Sequence, residues 1–92
     1  MYVVILSNAA QTDLDNIVEY LAVHNPAAAE KLGLELIDTA MSLETLPYRG
    51  SRVRNHLGVR KLVHGNYVIT YRVKESNHTV QVLGFTHGAR IK

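Results

Sequence analysis

The sequence predicts an α+β domain in the order β-α-α-β-β-β, with an αα-hairpin packed on one face of an antiparallel sheet. Three observations predict it. Apolar residues recur at helical spacing from about Asn8 to Leu46, the spacing turns to alternation after Pro47, and turn residues cut the second half into strand-length pieces. Strands joined by tight turns pair antiparallel, and a helix hairpin must bury its apolar stripe, so it covers the sheet. Ninety-two residues hold one core, which makes residues 1–92 a single domain.

Each element has its own signal. Tyr2-Val3-Val4-Ile5-Leu6 is a continuous apolar run, expected as a strand over 2–6 covered on both faces. Such a strand is unsuited to an open edge, so it should lie beside the later strands. Asn8, three residues before Gln11, is the expected N-cap of a helix over 8–24, whose apolar face is Ala10, Leu14, Ile17, Val18 and Leu21. Asn25 caps a second helix over 26–46, and Pro26 suits its first turn because the N–H it lacks has no acceptor there. That helix carries two apolar rows, Ala29-Leu32-Leu36-Ala40-Leu43 and Leu34-Ile37-Met41, which predict packing on more than one side. Pro47 ends it.

Tyr48 to Leu57 reads as a basic loop, with Gly50, Ser51, Asn55 and three arginines. Strands are then expected over 59–63, 67–74 and 79–86, separated by turns at His64-Gly65-Asn66 and Glu75-Ser76-Asn77. In the middle strand Tyr67, Ile69, Tyr71 and Val73 share one face and predict core. In the last, Val80-Val82 and Leu83-Phe85 lie out of phase, so a bulge is expected near Gly84.

An apolar fraction of 47% with 20% charged residues fits a folded protein and excludes disorder. The chain has no cysteine, which removes disulfides and thiolate metal sites. The apolar N-terminal run is too short for a signal peptide, no stretch approaches the ~20 residues of a membrane helix, and a cytoplasmic protein is expected. The net charge of +2 conceals a division. Residues 1–46 hold seven acids and one base, whereas residues 47–92 hold nine bases and one acid, Glu75. An acidic helical layer and a basic strand layer follow, the second suited to an anionic partner, either nucleic acid or an acidic peptide.

The candidate chemistry is sparse. None of the five histidines pairs at metal-ligand spacing, so no metal is expected, and no nucleotide fingerprint or nucleophile elbow implies a cofactor. His87 and Arg90, with Arg60, are the only candidates for acid–base cleavage of an RNA phosphodiester. The same residues could instead hold a partner peptide. Tyr48 in the basic loop is the best candidate for an exposed aromatic contact, since Tyr67 and Tyr71 read as core.

The segments Ala10-Gln11-Thr12-Asp13-Leu14 through Tyr20-Leu21, Asn25-Pro26 with Ala28-Ala29, and Leu46-Pro47-Tyr48-Arg49-Gly50 resemble the ParE/RelE superfamily of toxins. So do Val59-Arg60-Lys61-Leu62, Asn66 to Val73, and the ending Val82 to Arg90, whose His-Gly-Ala-Arg is similar to the ParE branch. The resemblance covers almost the whole chain. It implies the toxin of a type II toxin–antitoxin pair, bound in a hetero-oligomer by a cognate antitoxin through an acidic, amphipathic C-terminal segment. ParE toxins poison DNA gyrase without enzymatic activity; RelE relatives are ribosome-dependent mRNA endonucleases. The strand arginine that RelE-type nucleases use is matched here by Val68, and no tyrosine follows Tyr71, which favours ParE. A non-toxic binding module of the same fold is a third reading. The antitoxin segment is expected on a sheet surface where Arg60, Arg72 and Arg90 cluster, helped by Tyr48, Arg52 and Arg54.

Overall fold

A computed structural model describes residues 1–88. Strand β1 (Val3–Leu6) leads into helices α1 (Asn8–Ala22) and α2 (Pro26–Met41); a 3-10 turn, Ser42–Glu44, extends the second. Strands β2 (Ser51–Arg52), β3 (Val59–His64), β4 (Tyr67–Lys74) and β5 (Thr79–His87) follow. They form one five-stranded sheet in the order β1-β5-β4-β3-β2. The helix hairpin lies on one face, as expected.

The sheet is mixed rather than antiparallel. The strands β2 to β5 pair antiparallel, but β1 pairs parallel with β5, Val3 opposite Thr79 and Leu6 opposite Val82. A strand separated from its neighbour by two helices is not bound by hairpin geometry, so parallel pairing is open to it. β1 does lie beside the meander, but at the edge of the sheet. Its outer residues Val3 and Ile5 are 60% and 51% exposed, which corrects the reading of a strand covered on both faces. The fifth strand, β2, sits inside the basic loop and is too short to leave a period in the sequence.

The helix ends follow local chemistry. Ser7, not Asn8, caps α1: its hydroxyl accepts from the Ala10 N–H at 3.0 Å, and Gln11 Nε2 donates to the Leu6 carbonyl instead of closing a capping box. Asn25 caps α2 through the Ala28 N–H at 3.1 Å, with Pro26 in the first turn. α1 closes at Ala22 and α2 at Met41, both short of the predicted bounds because the last turns tighten.

The core lies between helices and sheet. Leu36, Ala40 and Leu43 from the first apolar row meet Ile69, Tyr71, Val80 and Val82, all at 0% exposure. Each large side chain so buried contributes about 1.5–3 kcal/mol. The Tyr67-Ile69-Tyr71-Val73 face meets the helices, with Tyr67 and Val73 at its rim. The out-of-phase stretch of β5 resolves as a bulge. Thr70 pairs with Gly84 but Tyr71 with Val82, leaving Leu83 extra. Asp13 of α1 closes it by accepting from the Phe85 N–H at 3.1 Å. The second row of α2 does not pack: Leu34, Ile37 and Met41 stay 57%, 38% and 37% exposed.

Candidate functional site

The basic loop is a folded structure, and it is built around one glycine. Pro47 turns the chain away from α2 and Arg49 Nη1 donates to Ser42 Oγ at 2.7 Å. Gly50 N–H then donates to the hydroxyl oxygen of buried Tyr71 at 2.9 Å. A Cβ on Gly50 would stand 2.5 Å from the Lys61 carbonyl oxygen and 2.6 Å from the Tyr71 hydroxyl, so only glycine lets the loop approach the sheet this closely. Burial pushes the Tyr71 hydroxyl above its ordinary pKa, partly offset by the Gly50 N–H and by Arg60 and Arg49.

Arg60 completes the frame. It lies directly opposite Tyr71 in β3–β4 and opposite Arg52 in β2–β3, so both arginines share the helix-facing side of the sheet. Its Nη1 donates to the Gly50 carbonyl at 2.8 Å and to the Tyr48 carbonyl at 3.3 Å, and its guanidinium stacks over the Tyr48 ring at 5.0 Å. The Tyr48 hydroxyl donates to Glu75, whose Oε1 also accepts from Tyr2 at 2.7 Å. That hydrogen bond is the main cause of a raised pKa at Tyr2, followed by desolvation and the carboxylate charge.

An open groove of about 660 Å³ results, lined by Tyr48, Arg52, Val53, Leu57, Arg60 and Val73 among others. Its apolar surface comes from the β2–β3 hairpin and the rim of the core, its charge from arginine. Among the described residues the one ion pair is His64 with Glu35 at 3.3 Å, far from these guanidiniums in the fold. The arginines of the groove therefore carry charge that no carboxylate among the described residues meets.

The structure regroups the predicted residues. Tyr48, Arg52 and Arg60 come together, and Arg54 is exposed in the adjoining hairpin loop. Arg72 does not join them. Adjacent to Tyr71, it projects from the opposite face, where it pairs with Val59 and Gln81. The expected cluster of Arg60 with Arg72 is thus corrected by the pleat, and Arg90 lies outside the described residues. His87 packs edge-on against the Tyr67 ring at 5.2 Å. Tyr67 pairs with His87 and Tyr71 with Arg60, so these two of the three candidate catalytic groups, the two within the described residues, attach four residues apart along β4, about 13 Å. Val68 is buried beneath Gly88 on the outer face. No three potential metal ligands gather among the described residues. Sequence reading missed Gly50 as the support of the groove and Val73 as part of its lining; the only hint was a glycine between arginine and serine in a loop.

An αα-hairpin on a mixed five-stranded sheet is the fold of small toxins from toxin–antitoxin pairs. Similar solved structures include the RelBE2 toxin–antitoxin complex of Mycobacterium tuberculosis, at 25% identity over 94% of this chain and 96% of that one, with a TM-score of 0.74. The chromosomal ParDE system of P. aeruginosa gives 24% identity over 95% and 96%, with a TM-score of 0.80. The isolated E. coli RelE toxin shares the fold at 15% identity over 100% and 89%, with a TM-score of 0.66. No curated protein sequence matches. The sequence profile described as the ParE toxin of the type II toxin–antitoxin system parDE matches residues 4–92, and the chain belongs to that family.

Proposed function

We propose that this toxin arrests growth by binding DNA gyrase, without cutting RNA, and that its antitoxin restrains it by laying an acidic, amphipathic segment in the arginine-ringed groove. The observation that carries the restraint is the groove itself: an apolar floor bordered by Arg52 and Arg60, neither met by a carboxylate among the described residues. A guanidinium binds a carboxylate through two parallel hydrogen bonds, and arginine keeps its charge under all physiological conditions. The apolar contacts supply most of the affinity, because exposed ion pairs contribute only about 0–1 kcal/mol each. Charge governs the association rate and the choice of partner. Gyrase is favoured over the ribosome by the separation of His87 from Arg60 and by Val68 at the position where related nucleases carry arginine.

Two measurements test this. Arg52→Glu should slow antitoxin association about tenfold and flatten its salt dependence, with the fold retained. Arg72→Glu, on the other face, should change the rate much less. Equal rates for Arg52→Glu and the unaltered chain would remove the groove from the interface. Separately, the chain should inhibit supercoiling by purified gyrase. Ribosome-dependent mRNA cleavage that disappears in His87→Ala would make it a nuclease, and antitoxin binding without any effect on growth would make it a non-toxic binding module.

A further inference from the structure

The connection from β2 to β3 is fixed by its own backbone and ends in an apolar tip. The Val53 carbonyl accepts from the His56 N–H at 3.3 Å, and the His56 carbonyl accepts from the Val59 N–H at 3.1 Å. Two consecutive β-turns result, closed at their base by the Val53 N–H on the Val59 carbonyl at 2.9 Å. Asn55 and Gly58, the third residue of each turn, hold φ at 64° and 77°, the left-handed backbone that suits asparagine and glycine there. This frame carries Leu57 out to 98% exposure, more than any other large hydrophobic side chain among the described residues. Positive charge surrounds it. Arg52 shares one face of the hairpin with Arg60, Lys61 takes the other face with Ser51, and Arg54 and His56 are exposed at the tip. No acidic residue occurs between Glu44 and Glu75.

We infer that this hairpin is an arm that enters the major groove of duplex DNA, with Arg52, Arg54 and Lys61 on the phosphates and Leu57 against a thymine methyl group. The charge on both faces selects the partner. An acidic patch on a protein would meet one face of the arm, whereas a groove has phosphates along both walls. The major groove of B-form DNA, about 12 Å wide, admits a two-stranded ribbon, and its floor offers the thymine methyl to an apolar side chain. A-form RNA closes that route, because its major groove is deep and too narrow for side chains to read. The turns hold Leu57 in place before contact, so little order is lost when the tip reaches the bases. Arg52 and Leu57 also line the groove proposed for the antitoxin, so an acidic segment laid there would exclude the duplex.

The test uses the full chain and a short fluorescent DNA duplex rich in A·T pairs, followed by anisotropy. Three phosphate contacts predict a slope of about −3 for the logarithm of affinity against that of salt, and Arg54→Ala should reduce it by about one. Replacing thymine by deoxyuridine removes one methyl group and should weaken binding by the wild-type chain about fourfold. Leu57→Ala should weaken binding to the thymine duplex and lose this sensitivity, as coupled partners do. Both substitutions lie on exposed turns, so the fold is retained. An unchanged affinity and slope in Arg54→Ala overturn the arm. Equal sensitivity to deoxyuridine in Leu57→Ala and wild type removes Leu57 from the groove. An RNA duplex bound as tightly as DNA overturns the major-groove assignment. No binding to DNA, with Leu57-dependent binding to polyglutamate, assigns the arm to an acidic protein surface and overturns the inference.

Discussion

The two concave surfaces of this toxin differ in charge, and they differ equally in how firmly they are fixed. The arginine groove is framed by backbone: Gly50 stands against the Lys61 carbonyl, its N–H is spent on Tyr71, and Arg60 is held by two carbonyls and a ring. The helical cleft, a hollow of about 310 Å³ lined by Leu14, Val18, Ala29, Gly33, Leu34 and Ile37 between α1 and α2, is framed by side-chain ends, with Val18 Cγ2 as the nearest neighbour a Cβ on Gly33 would meet, at 3.1 Å. A surface framed by backbone can present charge in one geometry. A surface framed by flexible side chains can repack around an added group. Glycine substitutions in the two regions should therefore diverge.

Gly50→Ala should have the largest effect. The new methyl lies 2.5 Å from a backbone oxygen on a paired strand, which cannot give way without breaking the β2–β3 ladder. A cost of about 3 kcal/mol follows, the upper end for overpacking. For a domain of this size the melting temperature should fall by on the order of 10–20 °C. Thermal unfolding followed by circular dichroism checks it, and a shift of a degree or two would mean the loop floats free of the sheet.

Tyr71→Phe loosens the same frame from beneath. It keeps the ring in the core but leaves the Gly50 N–H without its acceptor, which costs about 1–3 kcal/mol. Its pH dependence identifies the cause. The Tyr71 pKa is raised in the folded state above the unfolded 10.0, mainly by burial. A raised pKa contributes stability that is complete below pH 10 and is lost as pH climbs through the folded value. The stability gap between wild type and Tyr71→Phe should therefore narrow above pH 10. Denaturant melts at pH 8 and above pH 10 decide it; a gap that stays constant places Tyr71 in a solvated environment.

Much of this contrast was legible in the residues, but unevenly. The division of charge between the halves pointed to two layers, and the layers are where it placed them. The two rows of α2 were visible as well. What the spacing does not encode is what covers an apolar row, and the second row proved open to solvent. The arginines failed for a related reason. Arg60 and Arg72 both belong to strands, but which face each takes depends on register, and a one-residue offset reverses it. Val3 and Ile5 misled because an unbroken apolar run looks the same whether both faces are covered or one awaits a partner. Gly50 was unreadable as a support because its role is an approach between segments eleven and twenty-one residues apart, Lys61 and Tyr71.

Glu75→Ala sharpens the comparison on a smaller scale. It removes the carboxylate that accepts from both Tyr2 and Tyr48, hydroxyls at the surface where water replaces the lost acceptor, so the loss of stability should be smaller than at Gly50 or Tyr71. Tyr2 owes its raised pKa chiefly to that hydrogen bond. In an ultraviolet titration of the variant, one tyrosine should return toward 10.0. If every tyrosine titrates as in the wild type, Glu75 does not anchor the aromatic side of the groove.

Gly33→Ala should have the smallest effect on stability, and for that reason separates the two surfaces best. Gly33 is buried in the middle of α2, where alanine favours the helix by about 1 kcal/mol over glycine. Against that gain stands the approach to Val18 Cγ2 at 3.1 Å, a contact that gives by a few tenths of an ångström because its partner is the end of a half-buried side chain. The two terms oppose each other, so the net change should stay within about 0.5 kcal/mol, compared with about 3 at Gly50. Equilibrium unfolding separates the possibilities. A variant as stable as wild type marks the cleft as the surface that repacks. A large loss of stability would show instead that the hairpin is fixed as rigidly as the loop, and the contrast between the two surfaces would collapse.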